Sequence, residues 1–252
     1  MTPDDLIAAF ALPLGPPPRR VPKASLSDYA PTAADRRLIE KALARLDWVA
    51  AINPASTGIM AAEAEGLTID TINLLCATTR GLIPPRLAEI IHRAIPKPVI
   101  LIHADESGGA ASLSLAPKRA AEREAGRVVT IAVHDTGPLS EGDAGFIQTL
   151  ALANLPTRDL AALYAGLIER VEALAAARLG GRLAGRAFRL AATVEEMAIW
   201  RAAMRECQIL GVEITAMSAA LAKERQLARR VEASESVRQR KIQLEQCVKL
   251  IE

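Results

Sequence analysis

Aromatic side chains are scarce in this chain, only 3% of its residues. Any core must therefore be assembled from Ala, Leu, Ile and Val. Cysteine is scarcer still. Cys76, Cys207 and Cys247 stand far apart in the sequence and supply neither a disulfide framework nor a Cys-x-x-Cys ligand pair. That sparse, odd set suits a reducing compartment, and a cytoplasmic protein is expected. No net charge of one sign dominates, since the balance is only +2. Polyanion binding driven by overall charge is thereby excluded, although local basic patches are not. The chain has no phosphate-binding Gly-Lys-Ser/Thr loop, no dinucleotide fingerprint, no nucleophile elbow and no His-Glu-x-x-His. No cofactor and no bound metal are expected. The apolar stretch "LIAAFALPLG" follows Asp4 and Asp5 rather than a basic region. It is too short to span a bilayer, so no membrane association is expected.

What is present is a chain of 252 residues, half of them hydrophobic, long enough for one large domain or two small ones. Thr2-Pro3 marks a helix start, and a short helix to about Leu12 is expected. "LGPPPRRVPK" then reads as an extended, stiff spacer. "TAADRRLIEKALARLDWVAAI" has apolar residues at Leu38, Ile39, Ala42, Leu43, Leu46 and Val49, the pattern of one helix face. "GIMAA" and "LTIDTINLLCAT" read as strands around a turn at Glu65-Gly66. "PPRLAEIIHRAIP" is a short helix bounded by prolines. "VILIHA", "ASLSLA" and "RVVTIAVHD" are three further strands, the first two joined at Gly108-Gly109.

After Gly137 only helical signals remain. In "TRDLAALYAGLIERVEALAAARL" the apolar residues fall at three- and four-residue spacing, with Thr157 a suitable N-cap. "RLGGRLAGRAFRL" holds three glycines and is expected to be mostly loop. Thr193 to Glu196 forms a Thr-x-x-Glu capping box. The sequence from there to Glu252 stays helix-permissive. Leu210, Ile214, Met217 and Leu221 step by four, three and four, whereas Val237, Leu244 and Ile251 repeat every seven. These two registers do not match across "RRVEASES", so the tail is either one stuttering, coiled-coil-like arm or a hairpin; the arm is favoured. The expected fold class is α+β: a mixed sheet with flanking helices, then an all-helical region ending in a long coiled-coil-like helix. The expected divisions are 1–24 for the short helix and linker, 25–140 for the mixed domain and 141–252 for the helical domain. The arm occupies about 193–252.

Candidate chemistry is thin. A restriction-type nuclease centre places an acid two residues before its lysine, where the carboxylate binds metal and the lysine activates water. Lys118 is preceded by Leu115, Ala116 and Pro117, so that signature is missing. A divergent metal-dependent nuclease would have to draw on Glu63, Asp70, Asp105 and Lys118. His103 and His134 both end expected strands beside aspartates, and His92 lies among apolar residues. Basic residues offer binding chemistry instead. Lys118 and Arg119 sit at a sheet edge. Arg182 and Arg186 belong to a stretch with no acid between Glu172 and Glu195. Arg225, Arg229 and Arg230 fall in the segment Lys223 to Lys241, which holds seven basic and three acidic residues. Guanidinium groups in such runs pair with phosphates or carboxylates, or face solvent.

Several stretches together carry a family resemblance: "RVPKASL", "LIEKALARLDWVAAINPASTGI", "IIHRAIPKPVILI" followed by "SLSLAPKR", "LALANLPTRDLAALYAGLIERVEAL" and "LAKERQLARRVEASESVRQRKIQLE". In this order they resemble the bacterial and archaeal family called domain of unknown function four-three-nine-one, across nearly the whole chain. The chain departs from it at Lys97, where members usually carry an aromatic, and at Ser234, where they carry Asn. The resemblance implies an accessory component encoded beside helicases and DNA methyltransferases of restriction or phage-defence type. It assigns no catalytic residue. The resulting expectation is a non-catalytic adaptor. Its partners would be the helicase or methyltransferase of the same locus, with duplex DNA and self-association through the C-terminal helix as further modes. The alternative is the divergent nuclease of such a system.

Overall fold

The structure, a computed structural model, describes residues 1–13, 15–81, 83–122, 126–184 and 188–251, with the backbone alone at 180–184. Its contacts divide the chain into two compact units, Met1–Val171 and Glu172–Glu252. It is an α+β protein.

The first unit opens with α1 (Pro3–Ala9). Thr2 and Asp5 close a reciprocal capping box on it, with proline at the first helical position. Leu6 and Phe10 are fully buried, which anchors this segment in the unit. The proline-rich stretch is not merely a spacer, because Arg19–Arg20 forms an edge strand, β1. The helices α2 (Lys23–Ser27) and α3 (Ala33–Ala42) follow, the latter capped by Thr32.

The single helix expected through Ile52 ends at Ala42, and Leu43–Ile52 is a strand, β2. The register of β2 explains the misleading spacing. Its pairing slips between Leu43 and Arg45 and again between Trp48 and Ala50. A bulge adds one residue to the inward-facing period. Leu43 and Leu46 therefore both face the core although three residues apart, which imitates a helix.

After the single-turn helix α4 (Pro54–Thr57), a two-residue turn joins β3 (Ala62–Ala64) to β4 (Leu67–Ile69). Glu65 and Gly66 both have positive φ, 52° and 72°, as such a hairpin turn requires. The run read as one strand from Leu67 is broken at Asp70–Thr71. Its second part is β5 (Ile72–Thr79), which belongs to the main sheet. Helix α5 (Pro85–Ala94) carries the chain to β6 (Val99–Asp105), parallel to β5, and β7 (Ser112–Leu115) returns antiparallel. "RVVTIAVHD" is likewise two strands rather than one. The short strand β8 (Lys118–Ala120) pairs with β9 (Val128–Thr130), and β10 (His134–Asp135) pairs with β7. Helix α6 (Ala144–Gln148) ends this series.

The main sheet has six strands in the order β1-β2-β5-β6-β7-β10. One face packs Leu43, Leu46, Leu75, Ala77 and Leu101 against Leu26, Ile39, Leu87 and Ile91 of α2, α3 and α5. Alternation places Ile72, Leu74, Ile100 and Ile102 on the opposite face, and these are also fully buried. A sheet covered on both sides accounts for the unbroken apolar run "VILI" in β6.

Helix α7 (Leu160–Ala184) crosses the division between the units. Asp159, not Thr157, caps it, accepting the Ala162 N–H at 2.7 Å. The helix also runs through Gly180 and Gly181, where a loop was expected. Ala173, Ala176 and Leu179 pack with the later helices of the second unit, and that burial outweighs the helix cost of glycine, about 1 kcal/mol per residue.

The second unit is completed by α8 (Val194–Lys223) and α9 (Leu227–Lys249). Thr193 caps α8 through the Glu196 N–H, but the Glu196 carboxylate accepts from Ala192 N–H and Arg189 rather than closing a box. The favoured single arm is not found. The chain turns at Glu224–Gln226, and the two helices lie against each other as an antiparallel hairpin, with Arg240 Nε 3.2 Å from Glu213 Oε2. The two unmatched apolar registers thus belong to two facing helices. Trp200, Cys207 and Leu210 on α8, and Val237 and Val248 on α9, are buried. Among the described residues no helix is long and apolar enough to cross a membrane.

Candidate functional site

A recess in the first unit has a volume of about 330 Å³. The β3–β4 hairpin contributes Leu67 and Ile69, the loop before β6 contributes Pro96 and Pro98, and α7 contributes Tyr164 and Ile168. The walls are mostly apolar, as in sites that take a hydrophobic group. Tyr164 is locked in place: its hydroxyl donates to the Val99 carbonyl at 2.9 Å and accepts the Ala116 N–H at 2.9 Å. Sequence inspection could not assemble this recess, because its walls come from segments about a hundred residues apart. The three prolines at 96, 98 and 117 that bound it were the only local signal.

Lys118 lines the same recess, but not as an exposed edge cation. It is 7% exposed, and its ammonium donates to the carbonyls of His92 and Ile95 at the end of α5. It therefore caps that helix and meets the negative end of its dipole. Burial lowers its pKa to about 8. Arg119, its neighbour, is half-exposed and pairs with Glu122 at 3.1 Å.

The candidate nuclease acids do not converge. Glu63 accepts the Thr68 hydroxyl at 2.5 Å across the β3–β4 hairpin. Asp70 pairs with Lys97 at 2.8 Å, and the ammonium beside it holds its carboxyl below the usual range. Asp105 lies at the opposite end of β6, roughly 20 Å along the strand at about 3.3 Å per residue. There it accepts from the Ser107 hydroxyl and from the N–H groups of Ser107 and Gly109, which stabilises the turn and lowers its pKa. No group of three or more His, Cys, Asp or Glu able to hold a metal ion occurs among the described residues.

The histidines divide by environment. His92 is fully buried, with Nε2 3.1 Å from Ser114 Oγ and Nδ1 without a partner. Burial drives its pKa to about 3, so it is neutral. His103 Nε2 lies 3.1 Å from Asp135 Oδ2. Burial raises the Asp135 pKa, but the hydrogen bond and charge of His103 outweigh it and leave the group lowered. This pair stands at the carboxyl ends of the parallel strands, beside a cleft of about 290 Å³ lined by Thr79, Asp105 and Ser112. Register puts His103 opposite Ser112 and Asp135 opposite Ser114. The arrangement orients an imidazole.

In the second unit, Arg225, Arg229 and Arg230 are exposed at the hairpin turn and the first turn of α9. None has an ion-pair partner among the described residues. Leu227 and Val231 stand one helical turn apart in the same segment and are 76% and 64% exposed. Arg182 lies where only the backbone of α7 is described, and Arg186 lies outside the described residues. Arg189, from the same run, is engaged: it stacks 4.6 Å from the Trp200 ring and pairs with Glu196 at 2.8 Å.

A family model described as Domain of unknown function (DUF4391) matches residues 17–244, and the chain belongs to this family. Neither a curated protein nor a solved structure matches it.

Proposed function

We propose that this member of the family is a non-catalytic accessory protein of a helicase–DNA methyltransferase restriction or phage-defence system. In this reading it holds a protein partner at the turn of its α8–α9 hairpin. One observation carries the proposal: Leu227 and Val231 stand in water one helical turn apart, in a segment that also holds the exposed Arg225, Arg229 and Arg230. Exposed apolar side chains in an arginine-rich segment match the make-up of protein interfaces. Phosphate backbones gain nothing from leucine and valine, so a protein surface with carboxylates around an apolar spot is favoured over duplex DNA. The partner proposed is the helicase or methyltransferase of the same locus, which is what the family resemblance implies. The apolar recess beside Lys118 offers a second place for a partner's hydrophobic side chain.

The test is co-purification of the tagged full-length chain with each of those two proteins. Capture of one of them, lost in the double variant Leu227→Ser, Val231→Ser while the fold is kept, is the expected result. Salt-sensitive retention of duplex DNA without protein capture would replace the partner with a phosphate backbone. Plasmid cleavage with Mg²⁺ or Mn²⁺, abolished by Asp70→Ala, would overturn the non-catalytic reading.

A further inference from the structure

The hairpin brings together two of the three cysteines that are far apart in the sequence. Antiparallel helices pair residues whose numbers have a constant sum, and the contact between Glu213 and Arg240 sets that sum for this hairpin. Cys207 on α8 and Cys247 on α9 fall one residue from that register, so they occupy facing positions. Both pack in one cluster with Trp200, Ala203 and Val248, and Leu244 borders it. Burial raises the Cys207 pKa, and Cys247 is among the groups that raise it further. Both are free thiols; Cys207 is buried and Cys247 is half-buried. Cys76, by contrast, belongs to β5 in the other unit.

We infer that Cys207 and Cys247 form a redox-sensitive pair that closes into a disulfide and staples α8 to α9. Two thiols without a third ligand suit this chemistry better than metal binding, and no three-residue ligand group occurs among the described residues. The co-reactant is a small-molecule disulfide such as oxidised glutathione. Cys247 is the accessible member. Its thiolate attacks a glutathione sulfur, forms a mixed disulfide and expels one glutathione thiolate. The Cys207 thiolate then attacks the Cys247 sulfur and expels the second. Two protein thiols lose two electrons and two protons, and one oxidised glutathione becomes two reduced molecules. Burial raises the Cys207 pKa, which makes it the slower, resolving partner. The new bond joins the helices across their buried seam, so the oxidised hairpin resists separation more than the reduced one.

The full-length protein is equilibrated with oxidised glutathione, quenched and digested. The expected product is one intramolecular bridge between the Cys207 and Cys247 peptides, one remaining thiol at Cys76, and reversal by reduced glutathione. The oxidised protein should also unfold at a higher temperature. Cys76→Ala should leave the bridge unchanged. Cys247→Ala, at a half-buried position the fold should tolerate, should abolish it. Three thiols still titratable after oxidation, or a glutathione adduct that stays on Cys247 in folded protein, would overturn the inference.

Discussion

The two units stabilise themselves by different means. In the α/β unit, strands β5 and β6 are sealed on both faces, and two of its buried charges are firmly held. Lys118 caps α5, and the Arg86 guanidinium grips both oxygens of Asp35 at 2.8 and 2.9 Å, holding that carboxyl at about 2. The helical unit buries one narrow seam and leaves Ile209, Val212, Leu227 and Val231 in solvent. A sheet closed on both sides has little apolar surface left to offer a partner. The helical hairpin leaves more of it exposed, and the partner surface proposed at its turn lies in this less protected unit.

The sharpest way to break this contrast is a cavity in each unit. Leu101→Ala removes a fully buried side chain from β6 and should cost about 2–5 kcal/mol in chemical denaturation. Lys118→Met strips two helix-end carbonyls of their donor and should cost about 1–3 kcal/mol near neutral pH. It should also remove a pH signature. With its pKa at about 8 in the fold against an ordinary 10.5, Lys118 binds its proton more weakly when folded. Wild-type stability therefore gains a contribution from this group as pH rises from about 8 towards 10.5, and the variant should lack it.

His92 acts at the other end of the scale. Its pKa of about 3 against an ordinary 6.5 means that only the unfolded chain takes up its proton in between. Stability should fall as pH drops from 6.5 towards 3, and urea midpoints for His92→Gln should show a shallower fall. In the hairpin seam, Leu244→Ala, at a half-buried position, should cost only about 1–2 kcal/mol. The smallest effect belongs to Leu227→Ser with Val231→Ser, within about 0.5 kcal/mol per site because both side chains are already in water. A large stability loss there would show that these residues already have a structural role and erase the contrast.

Much of the architecture was legible from local chemistry. The Glu65-Gly66 turn, the proline-bounded α5 and the Gly108-Gly109 hairpin each follow from residues that permit few alternatives. What misled was non-local. The bulges in β2 come from its pairing with β5, and they gave a strand a helical spacing. Gly180 and Gly181 stay helical because neighbouring residues of α7 are packed. The mismatch between the two tail registers carried real information, since facing helices need not share a phase along the sequence. The site was less legible than the fold. His103 and Asp135 were visible only as polar strand ends, and Lys118 was recognisable as a basic residue but not as a helix cap. Cys207 and Cys247 gave no hint of each other, because only the chain reversal at Glu224–Gln226 sets them opposite.

The flanks of the central sheet carry one more consequence. Its outermost strands, β1 and β10, are only two residues long, and one of them is the pair Arg19–Arg20. A foreign strand trying to extend the ladder would find few free backbone groups in line and would meet two guanidinium groups on one side. Truncated, charged borders of this kind discourage runaway stacking between copies.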